Sequence, residues 1–329
     1  MKRFLQCLPV LAGLAFTSTA DADNFYKCST DRCSWAGWNL AFSSYAKTKY
    51  PIVLAHGMGG FSQLGPLDYW YGIPADLATN GANVYITQVA SFSDSVTRGE
   101  QLLQQVKQIQ AITGAPKVNL VAHSQGTLDS RYVAAVAPSL IASVTGVGGP
   151  NTGSPVADVV EGVASVIGPM GTDLVASIVN GFFIFVDTLS GKTYEQDALA
   201  GLHQLSTTQM AAFNAAYPAG LPASATPCGQ GAATVNGIRY FSWGGTGVST
   251  NLLDVSDLAL GLTTLAFNGL ANDGLVGQCS SHLGTVIRDN YNMNHLDEVN
   301  QVMGLVALNE SSPVALFRAH ANRLKNAGL

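Results

Sequence analysis

The sequence predicts an α/β fold with a mostly parallel central sheet and helices on both of its faces. Short apolar runs typical of buried strands alternate with segments in which apolar residues recur at helical spacing. The most informative stretch is 118–127, where a strand-type run, a turn of small residues and a helix-type segment follow one another. Ligands bind at the carboxyl ends of the strands in such sheets, so a functional site is expected at that turn.

Each element is predicted from its local pattern. Apolar runs predict strands at 50–55, 83–89, 118–121, 143–147 and 237–243. Helical spacing predicts helices at 69–80, 100–113, 128–136, 199–217 and 313–325, and Gly81 and Gly114 end the first two. The stretch 244–279 is rich in Gly, Asn and Asp and is expected to be irregular.

Composition limits the functional classes. The chain has 329 residues, of which 47% are hydrophobic and 11% charged, and its formal net charge is −5. This acidic balance and the lack of basic clusters argue against nucleic-acid binding. A mean hydropathy of +0.21 suits an exported protein that works at an apolar surface.

Residues 1–22 are predicted to be a secretory signal peptide. Lys2 and Arg3 precede an apolar run at 4–16, and Ala20-Asp21-Ala22 provides a small-residue cleavage site. A membrane anchor is disfavoured because the run is too short to span a bilayer, and no later stretch is long enough. We therefore expect a secreted chain without a transmembrane segment, consisting of an N-terminal extension at 23–49 and one domain at 50–329.

Four of the five cysteines remain in that secreted chain, an even number for an oxidising compartment. The simplest of the three pairings joins Cys28 to Cys33 in a short-range disulfide and Cys228 to Cys279 in a long-range one. A zinc site is the alternative, and it is disfavoured because no Cys-x-x-Cys spacing occurs.

The segment 150–191 interrupts the alternation of strands and helices. From 168 to 191 its apolar residues recur at helical spacing, and only Asp173 and Asp187 carry charge. We expect a helical lid inserted around 155–191, with glycines at 168, 171 and 191 as hinges. An ordinary core helix is the alternative.

Ser124 lies at the centre of the turn in 118–127. Ala122 and Gly126 are the small residues two positions before and after it, as in the strained turn that carries the nucleophile of α/β-hydrolases. The first strand ends in His56-Gly57-Met58-Gly59-Gly60, and the N–H groups of such a loop supply half of an oxyanion hole. The alternative interpretations are a serine without a catalytic role in a β–α turn and a flexible glycine turn that forms no oxyanion hole.

A serine nucleophile needs a base and a carboxylate, which follow it in the order acid, then histidine, in this fold. His295, in a polar loop late in the chain, is the preferred base, and His282 is its competitor. Asp273, in an Asn-Asp-Gly turn, is the preferred acid, although Asp254 and Asp257 compete and turn formation alone explains the motif. The other histidines are interpreted as structural: His56, His123, His203 and His320.

From residue 50 to the C-terminus the chain resembles the bacterial true lipases of the Pseudomonas and Burkholderia type, secreted triacylglycerol lipases with the α/β-hydrolase fold. The resemblance rests on the Ser124 turn and on these further motifs: Tyr50-Pro-Ile-Val-Leu-Ala-His-Gly-Met58, Arg98-Gly-Glu-Gln-Leu-Leu, Asn272-Asp-Gly-Leu-Val-Gly, Cys279-Ser-Ser-His, Arg288-Asp-Asn-Tyr, Asn294-His-Leu-Asp-Glu-Val-Asn-Gln301 and His320-Ala-Asn-Arg-Leu-Lys. Ala122 and Thr127 depart from the glycines of close relatives, and the extension at 23–49 is outside the usual pattern.

The resemblance implies a catalytic triad of Ser124, Asp273 and His295. It also implies that the backbone N–H groups of Met58 and Gln125 form the oxyanion hole, and that Cys228 pairs with Cys279. By the same resemblance, a dedicated membrane-anchored foldase chaperone is the expected folding partner, and a type II route the expected path of export.

The resemblance further implies one structural calcium ion. Its ligands match the carboxylates of Asp254 and Asp297 and the backbone carbonyls of Gln301 and Leu305, and calcium prefers such hard oxygen ligands. For Asp297 a helix cap is the alternative role. The ion would hold the loop that carries His295.

The expected activity is hydrolysis of carboxylic esters, triacylglycerols first, at a lipid interface. An esterase for short-chain or polymeric esters is the alternative within the enzymes. A catalytically inactive hydrolase fold that only binds ligands is the alternative outside them, and the complete triad argues against it.

Overall fold

The computed structural model describes residues 24–29, 31–38, 40–61, 63–64, 67–162, 201–223 and 228–329. Its strands are β1 (Asn24–Cys28), β2 (Cys33–Trp38), β3 (Ile52–Ala55), β4 (Gln63–Leu64), β5 (Leu67–Asp68), β6 (Val84–Ile86), β7 (Val118–His123), β8 (Ile141–Val147), β9 (Thr234–Val235), β10 (Ile238–Gly245) and β11 (Thr285–Tyr291). Its α-helices are α1 (Ile73–Thr79), α2 (Ser95–Thr113), α3 (Gly126–Val136), α4 (Pro155–Val160), α5 (Thr207–Ala216), α6 (Ser256–Thr263) and α7 (Pro313–Asn326).

One large sheet forms the centre of the described structure. Its strands follow the order β11-β10-β8-β7-β3-β6-β1-β2, and β9 pairs with β10 outside this path. The pairs formed by β1 with β2 and by β9 with β10 are antiparallel, and the other pairs in the sheet are parallel. The predicted mostly parallel sheet is confirmed.

Helices pack on both faces of this sheet, as the alternating pattern predicts. On one face, apolar side chains of α2 and α3, such as Leu102 and Leu128, join a core with Val53 of β3. On the other face, α1 and α7 contribute side chains such as Ile73 and Phe317 to a second core. α2 and α3 bury most of the apolar stripe from which they were predicted, although Ile112 and Val136 near their C-terminal ends are exposed.

The N-terminal extension supplies two strands at one edge of the sheet. β1 runs parallel to β6, and the rings of Tyr26 and Tyr85 stack on it with centroids 4.9 Å apart. A disulfide joins Cys28 to Cys33 across the β1–β2 hairpin. The sequence of this extension shows no alternation that predicts strands, because its strands form mainly by pairing with an edge that is already present.

The stretch 244–279, expected to be irregular, contains the helix α6 and two short 3₁₀ turns at 264–267 and 278–281. The second predicted disulfide, Cys228–Cys279, is also present and covalently links this stretch to the segment before β9. Both disulfides are of a kind that persists in oxidising compartments.

Two predicted segments lie largely outside the described residues. The signal peptide at 1–22 is one, and of the predicted lid at 155–191 only α4 and the two residues that follow it are described. Both assignments stay predictions. Within the described residues, none of the helices is long and apolar enough to cross a membrane.

Candidate active site

Ser124 lies in the sharp turn between β7 and α3. Its φ angle is +54°, a left-handed conformation that residues other than glycine keep only where the surrounding structure imposes it. Its N–H donates to the carbonyl oxygen of Val147 on the neighbouring strand, at 2.9 Å. Gly126 lets the turn pass close to β3, because a Cβ atom there would lie 2.5 Å from the carbonyl oxygen of Ala55. The predicted strand, turn and helix are therefore all present around this serine.

Thr127 and Ala122 fit because their neighbours are small. A Cβ atom at Gly146 would lie 2.7 Å from Thr127 Cγ2, and one at Gly149 would lie 2.7 Å from Thr127 Oγ1. Ala122 is fully buried, and its partners on the adjacent strands are Ala55 and Gly146. Gly146 thus makes room for both side chains that depart from the family pattern.

The loop at 56–60 lies directly against Ser124. A Cβ atom at Gly57 would lie 2.6 Å from the Cβ of Ser124, so only glycine permits this approach. The carbonyl oxygen of Gly57 accepts hydrogen bonds from Nδ1 of His56 at 2.8 Å and from Nη2 of Arg98 at 3.2 Å. Because the Gly57–Met58 peptide is trans, the N–H of Met58 points in the opposite direction from this anchored carbonyl.

Arg98 is a fully buried cation that holds this loop to the helices. Its Nε lies 2.8 Å from a carboxylate oxygen of Asp129 on α3. Its Nη2 donates to the carbonyl oxygen of His56 at 2.7 Å, and its Nη1 donates to that of Ala90 at 2.6 Å. Burial raises the pKa of Asp129 to about 7, against the opposing effect of the Arg98 charge.

His295 and Asp273 meet in the buried loops beyond the sheet. Nδ1 of His295 lies 2.8 Å from Oδ2 of Asp273, and the N–H of His295 donates to the Asp273 carbonyl oxygen at 2.9 Å. The other carboxylate oxygen accepts from the N–H groups of Leu275 and Val276, at 2.9 and 2.7 Å. The imidazole and the carboxylate therefore hold each other in one orientation.

His282, the competing base, is engaged elsewhere. Its Nε2 lies 2.9 Å from Oδ2 of Asp289, and its Nδ1 lies 3.0 Å from the carbonyl oxygen of Gly229. The competing acids Asp254 and Asp257 likewise lie in a different group, described below. The structure thus brings together the preferred histidine and aspartate and leaves the alternatives apart from them.

Ser124, His295 and Met58 line one cavity. Its wall also includes Tyr69 and His123, and most of the remaining wall is apolar: Pro150, Val156, Leu202, Leu205, Leu275, Val276 and Leu296. A cavity with a few polar groups in an apolar wall is the usual form of a small-molecule site.

Tyr69, His123 and Glu298 were not selected as functional from the sequence. His123 was interpreted as structural, and Glu298, although it lies in the Asn294–Gln301 motif, was given no role, as was Tyr69. Oε1 of Glu298 accepts from the N–H of Gly245 at 2.5 Å, and its Oε2 lies 3.5 Å from Nε2 of His123. Burial, followed by the nearby charge of Asp273, raises the pKa of Glu298 well above its usual range.

One group of side chains near this cavity has a spacing that could hold a metal ion. Ligand atoms of His123, His295 and Glu298 lie within 4.8 Å of one another. Two imidazoles and one carboxyl group suit a transition metal better than calcium. Both ring nitrogens of His123 and Nδ1 of His295 already have protein partners, whereas Oε2 of Glu298 is buried without a hydrogen bond to any described residue.

The two carboxylates predicted to bind calcium converge on Asn294, the residue before His295. The N–H of Asn294 donates to Oδ2 of Asp297 at 3.0 Å, and its side-chain amide lies 3.4 Å from Asp254 and 2.9 Å from Asp257. Burial raises the pKa of Asp297 to about 7, and the charges of the other two carboxylates contribute. Asp257 was weighed only as a catalytic acid, so its place in this group is new.

Several oxygens of this group lack partners among the described residues. Oδ1 of Asp297 is buried without a hydrogen bond. No hydrogen bond in the described structure ends on the carbonyl oxygens of Gln301 or Leu305. Among the described residues, no salt bridge joins Asp254, Asp257 or Asp297 to a lysine or an arginine.

Comparison with known proteins places the chain in a family. Residues 50–299 match the family model of the α/β-hydrolase fold. A solved structure of Bacillus licheniformis lipase BlEst2 in its mature form has a TM-score of 0.57 and 20% identity, and it covers 84% of this chain and 93% of its own. At that identity the likeness shows the fold alone.

Relatives of known name are much closer in sequence. A Vibrio cholerae triacylglycerol lipase is 51% identical over 299 residues, which is 90% of this chain and 95% of the relative. A Pseudomonas fragi triacylglycerol lipase is 44% identical over 291 residues, 86% of this chain and 98% of the relative. A Burkholderia plantarii triacylglycerol lipase is 44% identical over 325 residues, 88% of this chain and 90% of the relative. The chain is an ester hydrolase of the α/β-hydrolase family, and within that family it belongs to the bacterial triacylglycerol lipases.

Proposed function

We propose that this protein hydrolyses triacylglycerols at a lipid interface through an acyl-enzyme formed on Ser124. The observation that carries the proposal is the pairing of buried His295 and Asp273 beside a cavity that Ser124 also lines. Left-handed backbone at Ser124 supports it, since strain of this kind is concentrated at functional sites.

In the proposed reaction His295 takes the hydroxyl proton of Ser124, and the serine oxygen attacks the ester carbonyl. Asp273 keeps the imidazole in the required tautomer and stabilises the imidazolium that forms. The N–H groups of Met58 and Gln125 donate to the tetrahedral oxyanion. His295 then protonates the leaving alcohol, and a water molecule activated by the same residue cleaves the acyl-enzyme.

The cavity wall supports an acyl chain as the bound group. Leu202, Leu205, Leu275 and Val276 supply aliphatic surface close to Ser124. Burying such surface against a fatty-acyl chain contributes about 25 cal/mol per Å² of apolar area removed from water.

We also propose that Asp254, Asp297 and the carbonyl oxygens of Gln301 and Leu305 hold one calcium ion. The unpartnered Oδ1 of Asp297 and the free carbonyls offer the hard oxygen donors that this cation prefers. Bound there, the ion supplies charge that compensates the buried carboxylates. Its role in this proposal is to stabilise the loop of His295, and the chemical steps remain with the protein side chains.

Secretion is part of the same proposal. Residues 1–22 act as the signal peptide, the segment around 155–191 as a lid, and a lipase-specific foldase as the folding partner. The disulfides Cys28–Cys33 and Cys228–Cys279 support an oxidising destination. Refolding from denaturant with and without the foldase tests the partner, and full activity without it would contradict this part.

The experiment that tests the function compares the wild-type protein with Ser124→Ala on two substrates. Hydrolysis of emulsified long-chain triacylglycerol and of a soluble short-chain ester is assayed in parallel for both proteins, and circular dichroism checks the fold of the variant. We expect the wild type to hydrolyse the emulsion and the variant to hydrolyse neither. Wild-type activity on the short ester alone would identify the protein as an esterase and not as a lipase. A wild type inactive on both substrates would indicate a binding protein.

A further inference from the structure

Two polar side chains in the cavity wall, Tyr69 and His123, have no part in the proposed triad. The Tyr69 hydroxyl oxygen accepts a hydrogen bond from the N–H of Gly57 at 3.0 Å and lies 2.6 Å from Nδ1 of His123. Nε2 of His123 lies 2.9 Å from the backbone carbonyl oxygen of His295. These hydrogen bonds connect the loop at 56–60 to the loop of the base.

The direction of each hydrogen bond follows from the acceptors. The His295 carbonyl oxygen can only accept, so Nε2 of His123 carries a proton and donates it. Burial, with the charge of His295 next in effect, lowers the pKa of His123 well below its usual range, so its ring is neutral and Nδ1 is an acceptor. Tyr69 keeps its proton because burial raises its pKa, and its hydroxyl therefore donates to Nδ1.

All four members of this chain of hydrogen bonds are shielded from solvent. Gly57 is buried, and Tyr69, His123 and His295 are at most 2% exposed. The rings of His123 and His295 also pack together, with centroids 4.5 Å apart at an angle of 42°. The neutral His123 ring thus contacts the catalytic base twice: it donates to the backbone carbonyl of His295 and packs against its imidazole ring.

We propose that Tyr69 and His123 are positioning residues that set the distance between the oxyanion loop and the catalytic base. This inference rests on the proposed function of Ser124, His295 and Met58. Gly57 immediately precedes the oxyanion donor Met58, so the Tyr69 hydroxyl fixes that loop at one end of the connection. The His295 carbonyl is the other end, and 172 residues separate it in sequence from His123.

Accurate spacing matters for the reaction because the two loops act on the same tetrahedral intermediate. The oxyanion donors hold its oxygen while the base transfers the proton of Ser124. A displacement of about 1 Å in such an arrangement costs roughly 100-fold in rate. Substrate binding depends mainly on the apolar wall and is expected to change little.

Three substitutions separate the links. Tyr69→Phe removes the hydroxyl and keeps the ring, which packs edge-to-face with Trp70 and Phe61. His123→Gln keeps a donor at the position of Nε2 and loses the acceptor for Tyr69. His123→Asn does the reverse, since its shorter side chain reaches only the position of Nδ1. Tyr132→Phe is the matched control, because its hydroxyl bonds to Glu100 outside the cavity.

The experiment measures kcat and KM on a soluble ester, the melting temperature, and the rate of phosphonate labelling at Ser124. We expect Tyr69→Phe and His123→Asn each to lower kcat roughly tenfold or more, in line with the loss of one buried hydrogen bond, with KM within twofold. His123→Gln should retain more kcat than His123→Asn. The double variant Tyr69→Phe/His123→Asn should be no slower than the slower single variant, because both break the same connection.

Three outcomes would overturn the inference while the proposed function stands. The first is a wild type that hydrolyses esters and labels at Ser124, with kcat unchanged in both single variants. The second is a fall in kcat that multiplies in the double variant, which means independent effects. The third is a uniform rise in KM, which would assign Tyr69 and His123 to substrate binding instead. Failure of the wild type to label at Ser124 would count against the proposed function itself.

Discussion

His295 is attached to Asp273 at two points, through its ring and through its backbone. Nδ1 of the ring lies 2.8 Å from the carboxylate, and the N–H of the same residue donates to the Asp273 carbonyl oxygen at 2.9 Å. The acid therefore fixes both the tautomer of the imidazole and the position of the loop that carries it. Loss of the imidazole alone leaves the backbone link in place.

We expect His295→Ala to lower kcat by several orders of magnitude while the protein stays folded, because members of a catalytic triad act as a unit. His282→Ala is the matched control, since His282 bonds to Asp289 and Gly229 away from the cavity. Ester hydrolysis and melting temperature are measured for both. A larger loss of activity in the His282 variant would assign the base to that residue.

Calcium is expected to stabilise the fold around the base. An ion that binds only the folded protein raises stability with the logarithm of its free concentration. We therefore predict that chelation lowers the melting temperature and the activity together, and that Asp297→Asn reproduces both effects without further response to chelator. Asp31→Asn, at an exposed position, is the control and should respond as the wild type does. Unchanged stability and activity in a chelated sample would contradict the calcium site.

Acid should destabilise the protein through its buried histidines. Burial, with the charge of Arg323, lowers the pKa of His320 to about 3, below the ordinary value of about 6.5 in an unfolded chain. Between these values the unfolded state binds more protons, so stability is lost as the pH falls from 6.5 towards 3. His320→Gln removes one such group, and its unfolding free energy should depend less steeply on pH than that of the wild type. An equal or steeper dependence measured by denaturant titration would contradict this account.

The small residues beside Thr127 yield a prediction about packing. Gly146→Ala places a methyl group 2.7 Å from Thr127 Cγ2, and such overpacking costs about 1–3 kcal/mol. Thr127→Ala removes the obstructing atoms, so the double variant should recover most of the lost stability. Denaturant unfolding of the two single variants and the double variant measures the coupling. Additive losses would show that Thr127 is not the obstacle.

The sequence was sufficient to predict the α/β fold, because buried strands and amphipathic helices carry strong local patterns. It also singled out Ser124, whose turn requires small residues at fixed positions. Strands β1 and β2 were not predicted, because their pairing with the sheet edge at Val84–Ile86 is a tertiary effect. Helix α6 was missed for a different, local reason, since its sequence is flanked by Gly, Asn and Asp and the helix is only about two turns long.

The polar residues of the site also divide into those that the sequence identified and those that it did not. His295 and Asp273 stood out because an acid and a histidine must follow the serine in this fold. Tyr69 and His123 did not, because their importance depends on hydrogen bonds to backbone atoms of distant loops. Such contacts have no signature in the local sequence, and only the folded chain brings them together.

Covalent labelling is the direct test of Ser124 as the nucleophile of this ester hydrolase. The wild type and His295→Ala are incubated with an organophosphonate ester, and the adduct is located by peptide mass spectrometry while residual hydrolysis is followed. We expect one adduct per chain on Ser124 in the wild type, loss of activity in proportion to labelling, and labelling slowed by orders of magnitude in His295→Ala. Activity that survives complete labelling of Ser124, or inactivation with the adduct on another residue, would contradict it.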